Sequence, residues 1–122
     1  MVTGLKLKAQ FVSGSEFAIG PGKAALLAAI ASTGSISAAG RALGLSYRRT
    51  WLMVDTMNRC WREPLVATAH GGNRGGGATL TVLGETILQR YRDLDAALSD
   101  AAAGPAAALL ADLLDVPRPP KG

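Results

Sequence analysis

Ser35-Ile36-Ser37-Ala38-Ala39-Gly40-Arg41-Ala42-Leu43-Gly44-Leu45-Ser46-Tyr47-Arg48-Arg49-Thr50 holds two helix starts separated by a glycine stop. Ser37 is a good N-cap for a short helix over residues 38–43, because its side-chain oxygen can accept an otherwise unpaired amide of the first turn. Gly44 stops that helix, and Ser46 can cap a longer one reaching about Trp61. Two helices joined by a three- or four-residue turn containing glycine are the sequence form of a helix-turn-helix. At about 100° per residue, Tyr47, Trp51, Val54, Met57 and Trp61 fall on one arc and read as core, while Arg48, Arg49 and Arg59 lie off it. Leu52 and Met53 lie off the arc too, so this helix is expected to meet a second neighbour.

Upstream, Leu5-Lys6-Leu7-Lys8-Ala9-Gln10-Phe11-Val12 alternates with the period of a half-buried strand, and Glu16-Phe17-Ala18-Ile19 can return beside it after Ser13-Gly14-Ser15. Gly20-Pro21-Gly22 breaks the chain. Residues 23–33 then read as a helix with Leu26, Leu27 and Ile30 on one face and Gly34 at its C′ position. Downstream, Glu63-Pro64 ends the helical pattern, and residues 65–69 and 78–81 read as paired strands. The tip between them, His70-Gly71-Gly72-Asn73-Arg74-Gly75-Gly76-Gly77, is too poor in side chains to enter a core. From Val82 to about Ser99 a helical stripe of Leu83, Ile87, Tyr91, Leu94 and Leu98 returns. Ala101-Ala102-Ala103-Gly104-Pro105 interrupts it before a short helix over residues 106–114, and the Pro-rich end reads as frayed.

The fold class expected is α+β, mostly α: a winged helix-turn-helix with an N-terminal β-hairpin, a Gly-rich β-wing and a long C-terminal dimerisation helix. Residues 1–100 are expected to form the winged helix-turn-helix domain including that helix, and residues 101–122 a short Ala-rich helix and Pro-rich tail.

With 122 residues, 48% hydrophobic and 18% charged, the chain can bury one core and is not a disordered tail. The 5% aromatic content, set against abundant alanine and leucine, favours helices. No apolar run approaches the ~18–20 residues of a membrane span, and Met1-Val2-Thr3-Gly4-Leu5-Lys6 lacks a signal-peptide core, so a cytoplasmic protein with no membrane partner is expected. Residues 1–92 hold eleven Lys and Arg against Glu16, Asp55, Glu63 and Glu85. Residues 93–122 hold only Arg118 and Lys121 against Asp93, Asp95, Asp100, Asp112 and Asp115. A basic body with an acidic end points to a polyanion-binding surface kept clear of the tail.

Ser46-Tyr47-Arg48-Arg49-Thr50 reads as the start of a recognition helix. An exposed arginine there can donate to guanine O6 and N7 or pair with a phosphate, and Ser46 and Thr50 can donate to phosphate. The plain alternative is two arginines solvating an exposed face. The Gly-rich tip lacks the spacing of a phosphate-binding loop. As a wing it would carry Asn73 and Arg74 across a minor groove or along phosphates. Catalysis has no constellation behind it: Cys60, between Arg59 and Trp61, and the lone His70 sit in different elements, so no enzyme, no catalytic residue and no metal site is expected. One cysteine also excludes an internal disulfide. Trp51 and Trp61 read as core. The stripe Leu83, Ile87, Tyr91, Leu94, Leu98 can pack within the chain or against a second copy, and a homodimer is the preferred expectation.

Gly34-Ser35-Ile36-Ser37-Ala38-Ala39, Leu43-Gly44-Leu45-Ser46-Tyr47-Arg48, Trp51 with Met57-Asn58, and Gly71 through Thr81 resemble the N-terminal DNA-binding domain of the ModE family of bacterial molybdate-responsive regulators. That family shares a winged helix in outline with LysR-type regulators, and the likeness runs from about Leu5 to Leu98. The resemblance implies a dimeric regulator of transcription, a repressor by family habit, on double-stranded operator DNA. It implies a reading helix starting near Ser46, the Gly-rich hairpin as wing and the helix after Thr81 as dimer joint. Carried over by position, Ser35, Ser37, Tyr47, Arg48, Arg49 and Arg74 are the implied contact residues. Members of the family continue into small β-barrel domains that bind molybdate. This chain is expected to be a stand-alone form without them, with no cofactor of its own and either a separate effector-sensing protein or another signal. The competing class is a winged-helix protein-interaction module whose basic face binds an acidic partner.

Overall fold

Proline and glycine set the first helix. In the computed structural model, which describes residues 4–69 and 77–121, Pro21 occupies the first turn of α1 (Pro21–Thr33), where its missing N–H costs nothing, and Gly20 is the residue before it. The expectation of a break at Gly20-Pro21-Gly22 followed by a helix from residue 23 is therefore corrected: the proline starts the helix. Gly34 ends it in the left-handed conformation, φ 71°, its N–H bonded to the Ile30 carbonyl. Leu26, Leu27 and Ile30 are fully buried.

α2 (Ile36–Ala42) is capped by Ser35, not Ser37: Ser35 Oγ accepts the Ala38 N–H at 3.1 Å. The helix starts earlier than expected because Ile36 is drawn into the core at 3% exposure, which places Ser37 inside the first turn. Gly44, φ 72°, turns the chain toward Ser46, whose Oγ accepts the Arg49 N–H at 3.1 Å and caps α3 (Tyr47–Cys60). α3 crosses α2 at Gly40, where a Cβ would overlap the Thr50 hydroxyl and lie 2.8 Å from its methyl. Thr50 is 1% exposed and its hydroxyl donates to the Ser46 carbonyl at 2.8 Å. Of the predicted core arc, Val54 and Met57 are buried, whereas Tyr47 is 70% and Trp51 38% exposed. The core arc of α3 is therefore Thr50, Val54 and Met57. Trp61 is half-buried just past the helix, its indole N–H donating to the Ala18 carbonyl.

Two antiparallel hairpins flank these helices. β1 (Phe11–Ser13) pairs with β2 (Glu16–Ile19), with a bulge between Phe11 and Val12. The alternation from Leu5 onward predicted a longer first strand. Lys8–Gln10 is not paired as strand, and the Ala9 carbonyl instead accepts the Tyr91 hydroxyl at 2.7 Å. β3 (Val66–Thr68) pairs with β4 (Ala78–Leu80), Val66 opposite Leu80. Asn58 at the end of α3 ties this hairpin down: its Oδ1 accepts the Leu65 and Val66 amides at 2.9 and 3.0 Å, and its Nδ2 donates to the Val66 carbonyl at 3.1 Å. The Ala78 N–H bonds the Gly34 carbonyl, so the opposite end of the paired strands sits against the turn between α1 and α2. The tip, with His70, Asn73 and Arg74, lies outside the described residues. Four helices with two short antiparallel hairpins, the second one following α3, make the mostly α, α+β winged-helix arrangement.

α4 (Val82–Leu110) is capped by Thr81, whose Oγ1 accepts the Gly84 N–H at 3.0 Å and donates to the Pro64 carbonyl at 2.7 Å. The expected interruption near residue 104 is corrected, for α4 continues through Pro105. Gly104 offers no Cβ for the proline ring to strike, and the carbonyl that loses its donor belongs to exposed Ala101. The expectation of one dimer stripe is corrected as well. Leu83 and Tyr91 are buried at 6% and 7% within the chain's own core, and Ile87 packs against it, whereas Leu94 and Leu98 are half-buried.

The chain divides into two compact units, Lys8–Arg92 and the described parts of Met1–Leu7 with Asp93–Gly122. The division falls within α4, a little before the expected boundary at residue 100. In the smaller unit, Gly4 (φ 86°) packs against Leu110 and Leu113, and Ala106 is buried. No helix among the described residues is long and apolar enough to cross a membrane.

Two stability effects are expected. Gly40→Ala forces α2 and α3 apart and lowers unfolding stability by about 1–3 kcal/mol, as overpacking does, with a smaller loss in a Thr50→Ala background. Asn58→Ala strands two amides and costs about 2 kcal/mol. Urea titration of each variant checks both; an unchanged midpoint would contradict them.

Candidate nucleic-acid interface

With Thr50 turned inward, helical geometry fixes the rest of the first half of α3. At about 100° per residue, Arg48 and Leu52 point opposite to Thr50, with Arg49 on one flank and Trp51 on the other. Ser46, Tyr47, Arg48, Arg49 and Leu52 are all exposed. Tyr47 and Trp51, one turn apart, meet as a tilted aromatic pair with ring centroids 6.1 Å apart. Neither Arg48 nor Arg49 has a carboxylate partner among the described residues. Asp55, farther along α3, and Glu16 of β2 are both engaged. Arg59 holds Glu16 at 2.6 Å and Asp55 at 2.8 Å, and the hydrogen bonds to Glu16 and then Asp55 raise its already high pKa. Arg59 is thus more than matched by carboxylates, and the uncompensated positive charge of α3 sits at the helix start.

Of the residues expected to contact DNA, the fold brings Ser46, Tyr47, Arg48 and Arg49 together on one exposed end. Thr50 is a correction: it is buried, and its hydroxyl is spent on the Ser46 carbonyl. Ser35 and Ser37 lie apart from the arginines, lining a cleft of about 350 Å³ with Trp51, Thr68 and Ala78 of the second hairpin. Capping uses Ser35 and Ser46 as acceptors and leaves each hydroxyl hydrogen available to a phosphate oxygen. Asn73 and Arg74 fall outside the described residues.

Sequence reasoning missed Trp51 and Thr68. Trp51 shares an arc with Val54 and reads as core, but it sits at the edge of that arc and is 38% exposed toward the serine cleft. The pairing of Tyr47 and Trp51 at i, i+4 was a readable signal of a surface aromatic contact. Thr68 carried no signal, since only strand pairing places it there. Among the described residues, no group of three His, Cys, Asp or Glu could hold a metal ion, and Cys60 is a half-buried free thiol.

No protein-family model matches the chain. Among curated proteins it is 47% identical over 81 residues to the molybdenum-pterin-binding protein MopB of Rhodobacter capsulatus, covering 66% of this chain and 30% of that protein. It is 46% identical over 70 residues to the molybdenum transport protein ModE of Azotobacter vinelandii, covering 57% and 26%. It is 41% identical over 71 residues to the DNA-binding transcriptional dual regulator ModE of Escherichia coli (strain K12), covering 58% and 27%. The chain therefore spans less than a third of the length of these relatives. Over that shared stretch the chain is homologous to the ModE and Mop proteins.

Proposed function

We propose that this chain is a DNA-binding transcriptional regulator that inserts the first half of α3 into the major groove of operator DNA. The observation that carries the reading is the pair of unneutralised guanidiniums at the start of a helix whose opposite side is locked by Thr50 against Gly40. Arg48, outermost on the helix, has the geometry to donate two hydrogen bonds to guanine O6 and N7. Tyr47 and Trp51 offer apolar edges to thymine methyls. Ser35, Ser37 and Ser46 donate to phosphates, which set register without reading sequence. Asn73 and Arg74, on the Gly-rich wing, are proposed to reach the adjoining minor groove. Similarity to the Escherichia coli DNA-binding transcriptional dual regulator ModE supports the same reading. Repression, by occupying a promoter, is the direction proposed here.

A homodimer is part of this proposal. With Leu83, Ile87 and Tyr91 committed to the chain's own core, Leu94 and Leu98 on the later part of α4 are the residues left to meet a second copy. Two-fold symmetry then matches palindromic half-sites about one helical turn apart.

Arg48→Ala is expected to weaken binding to a selected genomic site about tenfold to a hundredfold, since a bidentate guanine contact is worth about 1–3 kcal/mol, with the melting temperature unchanged. Fluorescence anisotropy with labelled duplexes measures it, and equal affinity would remove Arg48 from the interface. Wild type should sediment as two chains and Leu94→Asp/Leu98→Asp as one; a variant still sedimenting as two chains would contradict this interface.

A further inference from the structure

A second cleft, of about 310 Å³, opens on the Arg49 flank of α3. Lys8, Lys23 and Arg49 line it, with Gln10, Phe17 and the Gly20–Gly22 start of α1. These three cations come from three separate parts of the chain: the segment before β1, the first turn of α1 and the first turn of α3. No carboxylate is among the lining residues, and none pairs with the three cations among the described residues. Three cations around one open cleft with no carboxylate in its lining give it a positive potential that suits an anion. The first turn of α1 adds no acidic side chain and no side-chain cap to oppose one.

Arg49 and Trp51 lie about 200° apart around α3, so the cation cleft and the serine cleft occupy opposite flanks of the helix. A helix lying in a major groove about 12 Å wide has one sugar–phosphate strand on each side. We propose that Lys8, Lys23 and Arg49 form a phosphodiester-binding cleft for one DNA strand, while the hydroxyls of the serine cleft take the other. This rests on the DNA-binding reading of α3 and adds Lys8 and Lys23, which the arrangement of the reading helix alone does not assign. The cleft grips the backbone and carries no base information. Its contribution should be the same on any sequence and should fade with salt.

The test is duplex binding by Lys8→Gln/Lys23→Gln across a series of salt concentrations, with a selected site and an unrelated duplex. Each phosphate contact contributes about 0.9 to the slope of log affinity against log salt. The double variant should lose between about one and two from that slope on both duplexes, and bind about tenfold or more weakly at low salt. Lys8→Arg/Lys23→Arg should restore both. Arg118→Gln/Lys121→Gln, an equal loss of charge outside the cleft, should change the slope less. Unchanged melting temperatures show that the fold is intact. A wild-type slope in the double variant overturns the cleft while leaving the reading helix standing. Wild-type protein that binds no duplex at low salt overturns the reading helix and the cleft together. Saturable binding of inorganic phosphate at Lys23, with duplex binding indifferent to the double variant, assigns the cleft to a small oxyanion and also overturns the proposal.

Discussion

At Gly40 the second and third helices approach so closely that Thr50 occupies the space any Cβ would need. That contact fixes more than a distance. It sets the rotation of α3 about its own axis, because Thr50 is held both by the missing side chain opposite it and by its bond to the Ser46 carbonyl. Once Thr50 faces inward, Arg48 faces outward, and Arg49 and Trp51 take the two flanks. The charge pattern follows the same rotation: Arg59, farther along the exposed face, draws in Asp55 and Glu16, leaving the start of the helix as the uncompensated end. Those surface ion pairs add little stability, being exposed and screened. Their effect is on where positive charge remains.

The hairpins are positioned by side-chain hydrogen bonds rather than by large apolar areas. Asn58 supplies the pairing that the Leu65 and Val66 amides lack, and Thr81 caps α4 while holding the Pro64 carbonyl. Together they hold the second hairpin beside α3, at the edge of the serine cleft. Gly84 completes the joint, since a Cβ there would overlap the Leu65 carbonyl. A rigid frame of this kind suits a site that acts by presenting groups to a partner, because little ordering is then required at binding.

Much of the fold was legible because its signals are local. Gly34 and Gly44 as stops, Ser46 as cap, Glu16–Ile19 as strand and the later hairpin are each specified within a few residues. What failed needed tertiary information. Ser35 and Ser37 are both acceptable caps, and only the pull of Ile36 into the core chooses between them. Periodicity placed Trp51 on an arc with Val54, but it cannot say where the arc ends. Thr50 looked like a polar surface residue because its partner is the absence of a side chain on another helix. Pro105 read as a terminator, yet a preceding glycine and an exposed carbonyl made it tolerable. Leu83 and Tyr91 fitted a helical stripe equally suited to a partner or to the chain's own core, and a stripe does not distinguish them. At the site, the arginines were legible by type and place, whereas Lys8 and Lys23 come together only through the fold.

The central proposal is entry of the first half of α3 into DNA, with its two flanking clefts on either strand. Amide chemical-shift mapping during titration with duplex DNA tests this most directly. The perturbed amides are expected to cluster at Ser46–Leu52, at Ser35 and Ser37, and at Gly22 and Lys23, with Val54 and Met57 little changed. Perturbations confined to Leu109–Val116, or spread evenly over exposed residues, would contradict it.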